Sequence, residues 1–111
     1  DTSLDLGVVP FDPINATIAP DPGAPGESSR VRYANINFSL EIKDSKKIEK
    51  VQTIKIQFLD ALLSILGKKR FEDLTTVQGR YVLRSEMISA ANKLLKEDLV
   101  TNVFFIHYMI Q

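Results

Sequence analysis

The sequence lacks cysteine altogether and contains a single histidine. Without cysteine the chain can form no disulfide bond and perform no thiolate chemistry, although this absence does not identify a cellular compartment. The lone histidine, His107, has no cysteine partners with which to build a zinc site of the usual kind. It stands inside an apolar segment. This position favours a strand residue at a sheet edge or in a subunit contact over an acid–base group or a ligand.

Long hydrophobic runs and an excess of charge of one sign are also absent. Fourteen basic and fourteen acidic residues cancel, so no strong field favours binding to nucleic acid or to a membrane surface. No stretch approaches the roughly 20 apolar residues that a membrane span needs. The chain has 111 residues and begins with Asp1 rather than Met. It is therefore expected to form one domain and to be a fragment or a processed product.

Proline and glycine are concentrated near the N-terminus. All five prolines and three of the five glycines fall between residues 1 and 29. Proline removes a hydrogen-bond donor from a strand ladder. Residues 1–29 are therefore predicted to be a flexible segment that contains one short edge strand, through Ile14, Ala16 and Ile18. Residues 30–111 are predicted to form the folded domain.

The clearest strand of this domain runs from Arg32 to Lys43, where apolar and polar residues alternate. Successive side chains of a strand point to opposite faces, so the apolar set shares one face. This set comprises Ala34, Ile36, Phe38, Leu40 and Ile42. One face of the strand is expected to lie in the core and the other to contact water.

A first helix is predicted from Ser45 to Leu66, with Asp44 or Ser45 as its cap and Gly67 as a left-handed stop. Its apolar residues form two stripes, which together cover more than half of the circumference at about 100° per residue. A helix that only lies on a sheet needs a narrower stripe. The second side should therefore contact the other helix or another subunit. The candidates for a subunit interface are Ile56, Leu59 and Leu63.

A second helix is predicted to begin after Thr75, whose hydroxyl can cap it, with Gln78 at the spacing of a capping box. The apolar residues that recur on one side are Val77, Tyr81, Ile88, Ala91 and Leu95, flanked by Leu83, Met87 and Leu94. Arg80 and Arg84 fall within this apolar arc. They could form an interfacial salt bridge that orients a partner, or lay their stems on the core and reach water. The residues favour the second interpretation.

After Asp98 a run of β-branched and aromatic residues predicts a closing strand that ends at Gln111. Both faces of this strand are mostly apolar, so it is expected at the centre of the sheet or covered on both sides. The predicted order is strand, strand, helix, helix, strand. This order indicates an α+β domain of two layers, in which two long helices lie on one face of a small sheet.

The residues do not indicate catalysis. Glu72 and Asp73 are adjacent, but neighbouring side chains in a turn point apart, and both are expected to favour the positive N-terminus of the next helix. Gly79 is isolated and forms no phosphate-binding loop, so it is assigned to close packing or a tight helix start. The basic run at residues 68–70 is more typical of a helix C-terminus than of nucleic-acid contact. The chain is therefore predicted to be a binding and assembly domain rather than an enzyme.

The second helix and the closing strand also resemble those of a known family. The features are a Glu-Asp-Leu-Thr-Thr opening at residues 72–76, the pair Gly79-Arg80, an Asn-x-x-Leu helix end from Asn92, and an aromatic strand that ends in Gln111. In this order they resemble the FliL family. Its members are flagellar basal body-associated proteins with one N-terminal membrane helix and a C-terminal periplasmic domain. The resemblance covers roughly residues 31 to 111.

The resemblance implies a fold similar to the stomatin-like (SPFH) oligomerising domain. It further implies a non-enzymatic accessory of the flagellar motor, which forms a homo-oligomeric ring around stator units of the MotA/MotB type in the periplasm. Such a ring would stabilise the active, torque-generating stator and support swimming and swarming motility. The inner membrane would be reached through an N-terminal helix that is missing from this sequence. No cofactor, metal or nucleic acid is expected.

The residues alone leave two other roles open. One is a periplasmic scaffold or partner-binding domain unrelated to the flagellum. The other is an enzyme whose active site would have to be assembled between subunits, against which the lone histidine and the lack of cysteine both count.

Overall fold

The domain is built around the alternating strand identified in the sequence. The computed structural model of the chain describes residues 5–22 and 30–111. In it β3 (Arg32–Ile42) is the central strand of a small antiparallel sheet. β1 (Gly7–Pro10) and β2 (Ile14–Ile18) pair with β3 one after the other along one edge, and β4 (Val100–Ile110) pairs with it along the other. The predicted edge strand is therefore β2, and part of the predicted segment 1–29 lies outside the described residues.

The predicted alternation of β3 is confirmed. All five apolar residues of its core face are inaccessible to solvent. The opposite face carries the partly exposed Asn35, Asn37 and Glu41 together with Ser39, which is buried. The core therefore lies on one side of the sheet, where the helices pack. Phe38 stands at its centre and stacks on Phe11, with 4.8 Å between the ring centroids.

The prediction that the closing strand is central, or covered on both sides, is wrong. β4 pairs with β3 along one side, and no strand within the described residues pairs with its other side. Its outer face is also open, because Phe104 and Met109 are 39% and 45% exposed. The strand is therefore apolar on both faces although one of its faces is exposed to solvent.

A β-bulge at Ile106 also changes which residues of β4 share a face. Asn37 lies opposite His107, whereas Phe38 lies opposite Phe105. Ile106 is therefore an extra residue with no pairing partner in β3. A strict alternation through this strand, as the sequence predicted, is therefore interrupted. The residues of β4 that pair with the buried side of β3 are Val100, Val103, Phe105, Tyr108 and Ile110.

The first predicted helix is present but interrupted. A 3₁₀ turn at Ser45–Lys47 leads into α1 (Ile48–Thr53), and α2 (Lys55–Gly67) follows after a break at Ile54. Asp44 caps the start as predicted, because its side chain accepts a hydrogen bond from the backbone of the 3₁₀ turn at 3.0 Å.

The second predicted helix corresponds to α4 (Val77–Leu95), and the residues before it, which were expected to form a turn, form the short helix α3 (Phe71–Thr75). The cap lies one residue beyond the predicted Thr75, since it is the Thr76 hydroxyl that accepts a hydrogen bond from the Gly79 amide at 2.9 Å. Gly79 is needed for close packing, as the sequence suggested. A Cβ atom at this position would lie 1.7 Å from the carbonyl oxygen of Asp73, which is closer than any real contact.

The left-handed helix end occurs at a different place from the one predicted. Gly67 is the last residue of α2, its own φ is not positive, and Lys68 after it is right-handed with φ −97°. The prediction of a left-handed stop at Gly67 is therefore wrong. It is Lys96, after α4, that adopts the left-handed conformation, with φ 60° and ψ 30°.

The buried stripe of α4 is the one that the sequence assigned to the flank. Its members are Leu83, Met87, Ala91 and Leu95. Val77 and Tyr81, expected in the core, are 87% and 66% exposed. Tyr81 stands about 200° around the helix from Leu83, so the two cannot both face the sheet.

The expected fold class is confirmed: the chain is α+β, with a small antiparallel sheet and several helices. The observed order differs from the predicted one in having an additional first strand and four helices, of which two are short. Within residues 5–22 and 30–111, none of these helices combines the length and the apolar character that a membrane span requires.

Candidate interaction surfaces

An apolar stripe on α2 faces solvent. It consists of Ile56, Leu59 and Leu63, which are spaced three and four residues apart and so share one side of the helix. Ile56 is 84% exposed and Leu63 is 44% exposed, while Leu59 is half-buried against the core. Of the three residues proposed from the sequence as an interface, two therefore lie on the surface and the third at its margin. We refer to these three residues as the α2 stripe.

The second surface is the outer edge of β4. Tyr33 and Gln111 exchange both backbone hydrogen bonds between β3 and the end of β4, at 2.9 and 2.8 Å. Such pairs alternate along an antiparallel ladder with pairs that are not hydrogen-bonded. Ile110 and Tyr108 therefore direct their N–H and C=O groups away from β3. On the other side of the bulge, the N–H and C=O groups of Val103 and Phe105 also point away from β3. The two residues agree in direction because they are one full repeat of the strand apart.

Side chains cap the first half of this edge. Asn92, near the end of α4, accepts hydrogen bonds from the Leu99 and Val100 amides at 3.0 and 2.8 Å and donates one to the Val100 carbonyl at 3.1 Å. The Val103 amide donates to the Asn102 side chain at 2.9 Å, and the Val103 carbonyl accepts from Nε of Arg84 at 3.1 Å. The amide side chain of Asn92 thus takes the place of a neighbouring strand.

The second half of the edge has no such caps. Within the described part of the chain, no side chain or backbone group bonds to the outward N–H and C=O groups of Phe105, Tyr108 and Ile110. We call the segment Phe105–Ile110 the open edge. Its exposed bulge residue, Ile106, is apolar, and no residue of β4 carries a formal charge. His107 lies in this segment and is exposed, in agreement with the expectation of a strand residue at a sheet edge.

Arg80 and Arg84 both reach β4 from α4. The Arg80 guanidinium lies 4.5 Å from the centroid of the Tyr108 ring, and that of Arg84 lies 5.4 Å from the centroid of the Phe105 ring. Both contacts have the geometry of cation–π interactions. Neither arginine forms a salt bridge within residues 5–22 and 30–111. The guanidinium heads thus lie on rings of β4, whereas the favoured interpretation had them reach water, and a role in orienting a partner stays a prediction.

Tyr108 fastens the open edge to the helices. Its hydroxyl donates a hydrogen bond to the Leu74 carbonyl in α3 at 2.7 Å. Burial raises the pKa of the Tyr108 phenol above its ordinary value, and the neighbouring Arg80 charge opposes that rise. The hydroxyl therefore stays protonated and keeps donating over a wide pH range.

A network of opposite charges joins the start of the first helical segment to the turn after α4. Glu97, after α4, forms ion pairs of 3.1 Å with both Lys47 and Lys50. Hydrogen bonds from Lys47 and then Lys50 lower the pKa of the Glu97 carboxyl. The network is exposed to water, so it contributes little to stability by itself.

The acidic and basic residues around α3 have structural partners. The Asp73 carboxylate accepts a hydrogen bond from the Arg70 amide at 2.8 Å, so it acts at the start of α3 rather than, as was expected, at the start of the following helix. Lys69 pairs with Glu86 of α4 at 2.5 Å. In the part of the chain that the structure describes, no three histidine, cysteine, aspartate or glutamate side chains lie close enough to hold a metal ion.

The caps of β4 were not predicted from the sequence, in which Asn92 is recognisable only as part of a helix-end motif. A polar residue that is placed near a helix end, a few residues before an apolar strand, can indicate a side chain that bonds to that strand. The contact with Val100 nevertheless depends on the turn that follows α4, which spacing along the helix does not reveal.

Comparison with known proteins identifies the family. A model of the family described as flagellar basal body-associated protein FliL matches residues 16–111. The Flagellar protein FliL of Aquifex aeolicus (strain VF5) is 32% identical over 79 residues, which make up 71% of this chain and 49% of that protein. The chain thus spans about half the length of this curated relative. The family match includes all of β3, the helices and β4, and it confirms the resemblance found in the sequence. The chain belongs to the FliL family of flagellar basal body-associated proteins.

Proposed function

We propose that this chain is a non-enzymatic accessory of the flagellar motor, which assembles into a ring around stator units of the MotA/MotB type. In this proposal the ring stabilises the active, torque-generating stator and so supports swimming and swarming motility. The observation that carries the assembly step is the α2 stripe, an apolar surface on a helix that already buries its opposite side. Family membership supplies the flagellar setting.

The physical case for assembly rests on the cost of leaving the α2 stripe in water. Ile56 and Leu63 expose large apolar side chains about two helical turns apart, and Leu59 lies between them. Burying an apolar side chain contributes about 1.5–3 kcal/mol. An exposed apolar patch of this kind is typical of an interaction site. A head-to-tail contact, in which this patch meets a different surface of the next subunit, closes into a ring when the rotation between subunits is a whole fraction of a turn.

The proposed location follows from the same family. In this proposal the domain lies in the periplasm at the basal body and is held to the inner membrane by a helix of the longer protein. We further propose that it assembles in the manner of stomatin-like (SPFH) domains. The alternative is a periplasmic scaffold or partner-binding domain that has no part in the flagellum.

The test removes the apolar character of the α2 stripe without touching the core. We expect Ile56→Glu with Leu63→Glu to leave the circular dichroism spectrum unchanged, because both side chains are exposed. The variant should fail to form the parent oligomer in light scattering, and cells that carry it should keep their flagella but swim poorly. Val77→Glu is the control, since Val77 is about as exposed as Ile56 but lies on α4.

The outcomes separate the alternatives. Normal assembly of the double variant would exclude the α2 stripe as the interface. Loss of assembly with normal motility would favour the scaffold that is unrelated to the flagellum. Leu59→Glu is a harsher variant, because Leu59 is half-buried and a partly buried carboxylate also lowers the stability of the fold.

A further inference from the structure

The two outer edges of the sheet differ within the described residues. Along the edge formed by β1 and β2, the pairing is interrupted between Pro10 and Ile14, and Pro10 itself has no amide hydrogen to donate. Along β4, Asn92, Asn102 and Arg84 cap the first half. The open edge therefore presents the outward backbone groups that an added strand would use.

The charges beside the open edge are of one sign and pair with no carboxylate among the described residues. Four other cationic side chains pair with carboxylates: Arg32 with Asp21, Lys69 with Glu86, and both Lys47 and Lys50 with Glu97. Arg80 and Arg84 instead lie on aromatic rings of β4, with no carboxylate within salt-bridge distance in the described ranges. A guanidinium presents a fork of donors that fits a carboxylate well.

These charges argue against a second copy of the chain as the occupant. An antiparallel pairing of two open edges would bring both copies of Arg80 and Arg84 to one seam. Like charges in neighbouring positions across strands are destabilising. An extended segment with a carboxylate on the helix side would instead neutralise the guanidinium and leave its apolar side chains to contact Phe104 and Met109.

We propose that the open edge accepts an extended segment of a partner protein, which adds a strand to β4 and places a carboxylate side chain against Arg80. The backbone groups of Tyr108 and Ile110 pair with this segment. Arg80 selects for the acid, and the bulge at Ile106 limits the added strand to the last part of β4. This assignment does not depend on the ring, because the open edge and the α2 stripe share no residue.

The experiment uses the full chain, labelled with nitrogen-15, and a short synthetic peptide of alternating threonine and valine with one central glutamate. We expect the amide signals of Tyr108 and Ile110 to shift on titration. The same peptide with glutamine in place of glutamate should bind about tenfold more weakly, since a charge-assisted hydrogen bond is lost.

Two pairs of variants distinguish the charge from the backbone. Arg80→Glu should reverse the preference, so that a lysine peptide binds better than the glutamate peptide, whereas Lys93→Glu, which makes the same change of net charge elsewhere on α4, should keep the original order. Ile110→Pro removes an outward amide and should abolish binding, while Ile110→Val should retain it. Circular dichroism checks that each variant is folded.

Three results would overturn the proposal. The first is equal binding of the glutamate and glutamine peptides. The second is a set of shifted signals that lies away from β4. The third is that the chain binds no peptide but self-associates, and that Ile110→Pro removes this self-association. That result would assign the open edge to a second copy of the chain. Reversal of preference in Arg80→Glu together with loss of binding in Ile110→Pro would support it.

Discussion

The two helical glycines of this domain should respond in opposite directions to the same substitution. Gly67 ends α2 in open space, with no atom within 4 Å of the position that a Cβ would occupy, and its φ is not positive. Gly79 lies in the first turn of α4, where a Cβ would meet the Asp73 carbonyl oxygen at 1.7 Å and the Thr76 hydroxyl at 2.9 Å. Alanine is therefore compatible with the first site and incompatible with the second.

The magnitudes follow from three terms. Replacing glycine by alanine in a helix gains about 0.5–1 kcal/mol from the lower entropy of the unfolded chain. At Gly67 this term acts almost alone, so we expect Gly67→Ala to stabilise the fold by about 0.5 kcal/mol. At Gly79, displacing the backbone of α3 costs about 1–3 kcal/mol, and weakening the Thr76 cap costs about 1 kcal/mol more. The expected net loss for Gly79→Ala is about 2 kcal/mol.

Urea unfolding followed by circular dichroism measures the change in the free energy of unfolding for both variants, and a thermal melt measures Tm. Each is done at one protein concentration, because assembly would alter apparent stability. For a domain of this size, about 4 °C of Tm corresponds to each kcal/mol. Gly79→Ala should thus lower Tm by about 8 °C and Gly67→Ala should raise it by about 2 °C. A Gly79→Ala variant as stable as the parent would show that α3 does not pack against the start of α4, and would refute the argument from close approach.

Three further predictions concern the core, the caps and the response to pH. Phe38→Ala should cost about 3–5 kcal/mol in denaturant melts, because it empties a fully buried site between two other aromatic rings; a loss below about 1 kcal/mol would mean that this face is not core. Asn92→Ala should cost about 2–3 kcal/mol, since it leaves the partly buried amides and carbonyl at the start of β4 without partners; rapid hydrogen exchange confined to the Leu99 and Val100 amides would confirm the cause. The raised pKa of Tyr108 means that its contribution to stability is complete below the pKa of an unfolded tyrosine and is lost as pH rises towards the folded value; Tyr108→Phe should therefore remove part of the alkaline loss of stability, and an unchanged alkaline profile would contradict this.

The sequence by itself determined the features that depend on neighbouring residues. The alternation of β3 predicted both its extent and its buried face, because a pleated strand repeats every two residues whatever it pairs with. The cap at Asp44 was recognisable because a cap needs only a short polar side chain at the right offset. The ordered motifs from Glu72 to Gln111 also indicated the family, which the comparisons confirmed.

The tertiary structure decided the features that depend on which elements meet. The apolar residues of β4 predicted a central strand, yet β4 lies at an edge, because pairing beyond β3 is set by chain topology and not by composition. The bulge at Ile106 could not be inferred, since a strand that is apolar on both faces gives no sign of a shift by one residue. On α4 the apolar residues spread around the helix, and the packing of α3 through Gly79 selected Leu83 and Met87 for the core and left Val77 and Tyr81 in water. The open edge beside Arg80 arises in the same way: each of its residues is visible in the sequence, but their proximity depends on how α4 crosses β4.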